Sequence, residues 1–474
     1  MGRLRQTIVA LCGRAIPAAV GLGSVSIYTR LLDPSSVGAY ALLLSASLLA
    51  SAIGFAWLRN AALRVVSGED EGELRPDVAA TLILLFCATA LAVGTLEAFS
   101  LRVLRPGLPT LSLCLAVVAA CASGWYDLTH VLMQARLRLV TWGMLNLARA
   151  LTALVVTVTL VKLGFKSDAL LIGFIGGNGV ALAFAAVWAP GLLGRFDRRL
   201  FARLGRFGWP LGLKAGLEQI APTLQRYIIS SSVGMGVVGV FVVANDFTAQ
   251  TINSIVGSAN LAGVTLAFRA RDVGGEADLK HQLSQNARII FAIVAPLAFG
   301  IVVLAKTLAS VVFGPQFQHG AESVMVIIGV SSFVGYLRVY YFDQAFELAM
   351  NTSPQPIISA MGTTVMIVAS LLLIPRFGAN GAAFSALTAT VVAFVLSATW
   401  GRRIMRLPIP VKSWIKTSIA TSAMAIVLAA FPKHGGLAEL IMLGGLGIAT
   451  YGVVSLAIRF DVLRARFILP TATP

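Results

Sequence analysis

The stretch from Trp209 to Ile229, WPLGLKAGLEQIAPTLQRYII, decides how the whole chain is read. Its length and apolarity fit a helix that crosses a bilayer, yet it holds Lys214, Glu218, Gln219, Gln225 and Arg226. At about 100° per residue these five fall within an arc of about 140°, with Pro222 inside it. Leu213, Leu217, Ile220, Leu224, Tyr227 and Ile228 fill the opposite side. A charge at the centre of a bilayer costs about 2.5–3.5 kcal/mol or more, so this stripe has to face protein or trapped water. Lys214 and Glu218 lie one turn apart and can partly neutralise each other. Pro222 has no N–H, which deprives the Glu218 carbonyl of its usual partner and allows a bend. Two readings stand: a self-satisfied ion pair that fixes helix packing, and one wall of a polar path through the membrane. The second is the expectation carried forward.

Outside this stretch the same tension between apolar length and scattered charge recurs. The chain has 474 residues, 57% hydrophobic and 12% charged, which is the composition of an all-α polytopic membrane protein. Its formal charge of +17 comes from basic residues in short loops between apolar runs, the placement that the positive-inside rule produces and not a nucleic-acid surface. The four cysteines, Cys12, Cys87, Cys114 and Cys121, lie inside apolar runs without metal-ligand spacing and read as core residues. Arg3 and Arg5 precede the first run, and no small-residue cleavage site follows it, so it is expected to be a retained helix.

About fourteen runs have spanning length: roughly 7–29, 37–61, 78–99, 109–133, 139–161, 169–189, 209–232, 236–262, 289–308, 321–349, 355–375, 379–400, 413–431 and 435–458. With the N-terminus inside, roughly 22 basic residues fall on the cytoplasmic side and roughly 8 on the other, which places both termini in the cytoplasm. An odd number of spans would scramble that asymmetry. The segment Gly194–Gly208 is of another kind: Phe196, Leu200, Phe201 and Leu204 repeat at helical spacing opposite Arg198, Arg199, Arg203 and Arg206. It reads as an interfacial helix on the anionic leaflet and as the joint between two halves. Short matches support an internal repeat. Val37-Gly38-Ala39-Tyr40-Ala41 corresponds to Val238-Gly239-Val240-Phe241-Val242, and Lys162-Leu163-Gly164-Phe165 to Arg376-Phe377-Gly378-Ala379. Helices ending in Trp188 and Trp400 follow the second pair. The expected organisation is an N-terminal six-helix bundle (1–193), a cytoplasmic amphipathic linker (194–208), a C-terminal six-helix bundle (209–400), and two additional helices with a cytoplasmic tail (401–474). Six spans per half give the halves one orientation, related by a pseudo-two-fold axis along the membrane normal.

Four further runs carry buried polar character. The eighth places Asp246, Gln250, Asn253 and Asn260 in one stripe, with Gly257 leaving room for a neighbour or a ligand. The tenth puts Tyr336, Tyr340, Asp343 and Glu347 on one face while Arg338 points elsewhere. The fourth groups Asp127, His130 and Gln134, and the fifth carries Asn146 and Arg149. Each stripe has a packing alternative, and Arg14 and Arg59 lie near enough to the inner surface to snorkel. Arg149 lies near mid-span. No Walker A sequence, nucleophile elbow or HExxH is present, no cofactor or metal set is read, and no extramembrane loop is large enough for a soluble catalytic face.

The passage Tyr28-Thr29-Arg30-Leu31-Leu32-Asp33-Pro34-Ser35-Ser36-Val37-Gly38-Ala39-Tyr40 resembles a pattern of the Wzx-type polysaccharide flippases, roughly R-x-L-x-P-x-x-x-G-x-Y. These belong to the multidrug/oligosaccharidyl-lipid/polysaccharide (MOP) exporter superfamily. Phe207-Gly208-Trp209-Pro210, Val312-Phe313-Gly314-Pro315-Gln316-Phe317 and Gly378-Ala379-Asn380-Gly381-Ala382-Ala383 look similar as well, and the series covers nearly the whole chain. The resemblance implies two six-helix bundles around a central cavity, with two helices appended. It implies transfer of a polyprenyl-diphosphate-linked oligosaccharide across the bacterial inner membrane by alternating access, without catalysis. It also implies the lipid bilayer, a polysaccharide polymerase and chain-length proteins as partners.

No invariant motif of such flippases maps onto single residues here, so the candidate substrate-binding residues come from the stripes. They are Arg149, Lys214, Glu218, Gln225, Arg226, Asp246, Gln250, Asn253, Tyr340 and Asp343. Arg149, Lys214 and Arg226 are expected on the diphosphate, with Glu218 tuning Lys214 or carrying a coupling proton. Two alternatives stay open: a multidrug exporter of the same superfamily, whose organic cations prefer carboxylates, and a membrane polymerase of lipid-linked sugars. The short outward loops disfavour the polymerase.

Overall fold

The computed structural model describes residues 3–66, 75–104, 109–136, 138–188, 194, 196–349, 351, 353–433 and 435–458. The side chains of Cys12, Arg14, Arg203, Arg206 and Lys214 lie outside the described residues. The described elements are helices: α1 (Arg3–Leu31), α2 (Pro34–Val66), α3 (Pro76–Leu104), α4 (Thr110–Ala135), α5 (Leu139–Lys162), α6 (Ser167–Trp188) and α7 (Arg198–Ser232). Then come α8 (Met235–Val312), α9 (Pro315–Leu337), a π-helical turn (Arg338–Phe342), α10 (Gln344–Leu348), α11 (Pro354–Ile404), α12 (Val411–Ala430) and α13 (Leu437–Ala457). Gly275 (φ 73°) breaks α8 and Gly378 (φ 57°) breaks α11, so each holds two spans. Among the described residues eleven helices are long and apolar enough to cross a membrane. Counting α11 as two and adding α1 and the charge-bearing α7 accounts for all the expected spans. The all-α polytopic architecture is as expected.

The chain forms two compact units, Met1–Gly239 and Val240–Pro474. The joint expected at 194–208 falls inside the first of them. Arg198 starts α7 directly, with the Asp197 carboxylate accepting from the backbone N–H groups of Arg199 (2.8 Å) and Leu200 (3.2 Å). Those two backbone bonds, Leu200's first, hold the Asp197 carboxyl below its ordinary pKa. Leu200 and Leu204 are buried against Leu58, Val66, Leu82 and Leu132, whereas Phe196 and Phe201 stay exposed. The amphipathic segment therefore presses half of its apolar side into the protein.

Inside the first unit α7 lies antiparallel along α2. Gly212 sits over Trp57, Gly216 over Ile53, and the Thr223 hydroxyl lies 3.2 Å from the Ser45 carbonyl. At the far end the two copies of the Val-Gly repeat meet: a Cβ on Gly38 would overlap the Met235 carbonyl, and one on Gly239 the Pro34 carbonyl. Only glycine permits this reciprocal backbone contact, which gives a steric reason for the glycine of the flippase-like pattern. The same pattern supplies a cap. Asp33 accepts from the Ser36 hydroxyl (2.6 Å) and N–H (3.1 Å) ahead of Pro34, the first residue of α2. The Ser36 hydroxyl in particular holds the Asp33 carboxyl below its ordinary pKa.

In the second unit the last two helices are docked, not loosely appended. Trp414 of α12 stacks on Phe291 of α8 at 4.8 Å, and the Tyr451 hydroxyl of α13 donates to the Ala292 carbonyl at 2.9 Å. Leu304, Met424, Leu428 and Leu443 close a core between them. Phe313 and Phe317, either side of the α8–α9 joint, are fully buried, and Asn380 just past the Gly378 break accepts from Ser323 at 2.7 Å.

Candidate functional site

Charge inside the first unit gathers on α2, α4, α5 and α6. Arg59 reaches across from α2 to Asp127 of α4 with Nη1 and Oδ2 3.0 Å apart. One residue before, the Tyr126 ring carries the Arg149 guanidinium of α5 over its face at 4.3 Å, with Phe174 of α6 at 5.8 Å on the same cation. The Tyr126 hydroxyl donates to Asn146 (2.7 Å), whose amide N–H₂ donates back to the Trp142 carbonyl (2.9 Å). His130 stacks between Tyr126 (5.7 Å) and Trp142 (5.2 Å), the packing alternative for this histidine. Arg59 pairs with Asp127 and Arg149 lies over the neighbouring Tyr126, so this group of side chains holds two guanidiniums and one carboxylate. A planar guanidinium stacked on a ring keeps its donor edge for a phosphate or carboxylate.

Along α7 the expected stripe divides. Arg226 turns toward α2, with Nη1 3.4 Å from the Ala41 carbonyl. Gln225, about half a turn round from the glycine face, is buried, and Glu218 is exposed. Arg149 and Arg226 therefore sit on different helix pairs, α4–α5 and α2–α7.

The second unit holds a polar group of different character. Tyr340 donates to Asn253 (2.6 Å) and stacks on Tyr336 (5.8 Å), whose hydroxyl donates to the Ala249 carbonyl (2.8 Å). The gap left by Gly257 is taken by the Tyr340 hydroxyl. Gln344 donates to Asn260 (3.0 Å) and to the Tyr340 carbonyl (2.6 Å). Asp343 is paired with Arg338 at 3.4 Å and accepts a short bond from Ser397. Arg338 was expected to point away from Asp343, because five residues at α-helical spacing lie on different faces. The π-turn changes that: the Asp343 N–H bonds to the Arg338 carbonyl (2.9 Å), an i→i+5 bond that stacks residues five apart. Asp246 and Gln250, further along α8, are exposed, with Asp246 accepting from Asn245 at 2.8 Å. Of the sequence-derived residues the structure thus joins Asn253, Tyr340 and Asp343 in one network through Gln344 and the π-turn.

Arg59 and Asp127 complete the first cluster although the sequence stripes left them out of the site. Their separation of 68 positions hides the pair from any local periodicity. Gln344, buried between two stripes, was missed for the same reason.

Comparison with known proteins gives this geometry a context. A family described as polysaccharide biosynthesis protein matches residues 27–322, from the Tyr28–Tyr40 pattern into α9. A search of curated proteins found no match. Among solved structures the chain is similar to the lipid II flippase MurJ in an inward closed conformation, at 14% identity and a TM-score of 0.76, over 96% of this chain and 100% of that one. An inward-facing multidrug resistance MATE family transporter of the MOP superfamily aligns at 17% identity and a TM-score of 0.63, over 87% and 99% of the two chains. A MATE in complex with MaD3S aligns at 14% and 0.56, over 84% and 94%. At such identities these likenesses establish the fold. The family match spans well over half of the chain, so this is a member of the polysaccharide biosynthesis protein family, with a fold similar to those of the MurJ flippase and the MATE transporters.

Proposed function

We propose that this protein moves a polyprenyl-diphosphate-linked oligosaccharide repeat unit across the bacterial inner membrane by alternating access, for surface polysaccharide synthesis. The observation that carries this reading is the Arg59–Asp127 pair beside the Tyr126-stacked Arg149, two guanidiniums and one carboxylate on membrane-spanning helices. Such charge is costly in a bilayer unless paired, and a diphosphate leaving water supplies the missing anion. Arg149 and Arg59 would grip it, with the planar fork of each guanidinium matching two phosphate oxygens. The tyrosines and amides around Asn253 and Tyr340 suit the hydroxyl-rich glycan, and the lipid tail would remain in the bilayer. The family description and the name of the similar lipid II flippase agree with a lipid-linked cargo.

In this reading the chain acts as a carrier, not an enzyme. Both termini lie in the cytoplasm, and a polysaccharide polymerase and chain-length proteins work downstream. The second reading, a multidrug exporter for organic cations, draws on the MATE likeness and on the carboxylates Asp246 and Asp343.

The deciding experiment deletes the gene in the source organism, then extracts polyprenyl-linked lipids and assays surface polymer. Accumulated, complete lipid-linked repeat units with no surface polymer are expected. Normal polymer together with raised sensitivity to cationic drugs would favour the exporter reading instead.

A further inference from the structure

The third helix carries one acidic side chain deep in the first unit, outside the arginine cluster. Glu97 is 5% exposed, and neither carboxyl oxygen has a hydrogen-bond partner. Leu91, Leu96, Phe99 and Val103 of the same helix are more than half exposed, so α3 turns its outer face to lipid and Glu97 inward. Close packing seals the place. Val93 lies directly over Gly54 of α2, and Val117 of α4 lies 3.0 Å from where a Cβ on Gly94 would stand.

Among the described residues few groups face Glu97. Ser47 of α2 is the polar side chain that acts on it, and Cys121 of α4 is the titratable neighbour. The Cys121 thiol points at the Ala90 carbonyl (3.9 Å). Neither the Arg59–Asp127 pair of α2 and α4, nor Asp77 and Arg102 on its own helix, contributes charge at Glu97.

An ionised carboxylate without donors or a counter-charge is several kcal/mol unfavourable in such surroundings. A protonated one needs only an acceptor. The nearby Ser47 hydroxyl lies 2.9 Å from the Ala116 carbonyl of α4 and 3.1 Å from the Leu43 carbonyl, so its hydrogen is committed there. A protonated Glu97 leaves the bond from Ser47 to Ala116 in place. An ionised Glu97 would instead have to draw the serine hydrogen away from the bond joining α2 to α4.

We infer that Glu97 is a single-proton binding site in the first unit: the carboxyl holds its proton in this conformation and gives it to water when α2, α3 and α4 part. The step is a plain exchange, carboxylic acid to carboxylate with the proton passing to water, and needs no other reactant. Its place in a transport cycle rests on the carrier reading above; the site itself does not.

The test treats the full-length protein in lipid nanodiscs with dicyclohexylcarbodiimide, which reacts with protonated carboxyls in apolar surroundings, and reads the labelled peptides by mass spectrometry. The peptide carrying Glu97 is expected to be labelled at neutral pH, with label falling as the pH is raised, and Glu97→Gln is expected to lose it. Glu97→Gln mimics the protonated form in shape, so its Tm should match the wild type, while surface polymer in a complemented null strain falls at least about tenfold. An unlabelled Glu97 at neutral and acidic pH would overturn the site. Full polymer from Glu97→Gln would overturn its part in transport. Labelling needs no substrate, so that outcome is independent of the flippase reading, which the deletion strain tests alone.

Discussion

The two polar clusters solve the problem of polarity in an apolar protein in opposite ways. In the first unit Arg59, Asp127 and Arg149 are ionisable side chains, held by one ion pair and by the faces of Tyr126 and Phe174. In the second, Asn253, Tyr340, Gln344 and Asn260 are neutral and bonded to one another, and the one cation, Arg338, is matched by Asp343. The first cluster sets two cations against one carboxylate; the second matches its charges and is bonded mostly within itself, with the Gln344 Oε1 and the Arg338 Nε left without a hydrogen bond. A charge excess at membrane depth calls for a partner from outside more strongly than a charge-matched network does. The difference makes the first unit the better candidate for gripping an anionic cargo.

Breaking the first cluster should have the largest effect. Arg149→Ala and Arg59→Ala are each expected to reduce surface polymer in a complemented null strain by about ten- to a hundredfold, the loss of one charge-assisted bond of about 1.5–3 kcal/mol. Arg149→Lys should restore little, because an ammonium neither spreads over Tyr126 nor binds two oxygens at once. If both alanine variants produce normal polymer at normal protein levels, the anion binds elsewhere and the contrast between the units collapses.

A milder outcome is expected in the second unit. Tyr340→Phe removes the hydroxyl bond to Asn253, about 1 kcal/mol, and should lower the Tm by about one degree while polymer output stays within about fivefold. Polymer loss as severe as for Arg149→Ala would make the Tyr340 network a binding surface in its own right.

Asp127→Asn sharpens the comparison from the other side. It removes the competing carboxylate but leaves Arg59 and Arg149, so transport should survive, at a stability cost of at most about 1 kcal/mol because the pair is partly exposed. Thermal unfolding of the purified variant beside its polymer yield checks both halves.

The smallest effect belongs to the joint, away from both clusters. Asp33→Ala should cost about 1 kcal/mol by uncapping α2. The Asp33 carboxyl sits below its ordinary pKa when folded, so its contribution is present at neutral pH. It is lost as the pH falls through the folded value. The Tm gap between wild type and Asp33→Ala should accordingly close on acidification, and a gap unchanged by pH would remove the cap from the account of the motif.

What the sequence by itself determined is the architecture. Apolar runs of bilayer length can only become helices, since every backbone group in hydrocarbon must find its partner within the segment. The helices follow those runs, with the break at Gly378 falling between two of them, while α8 stays helical through residues 263–288 except at Gly275. Gly38 and Gly239 were legible as well, as a repeated pair.

The partners of the polar residues were decided only by tertiary structure. A helical wheel shows which face a residue occupies but not what stands opposite. Arg59 and Asp127 meet across 68 positions, and Ser47 meets Ala116 across 69. A single π-turn was enough to bring Arg338 onto Asp343 against the 100° rule. Glu97 lies in the third apolar run but outside the stripes read from the sequence, and its lack of hydrogen-bond partners is a property of α2, α3 and α4 packed together. Backbone pairing in a membrane is local, and the compensation of buried charge is not; that is why the sequence yields the helices and the fold chooses the site.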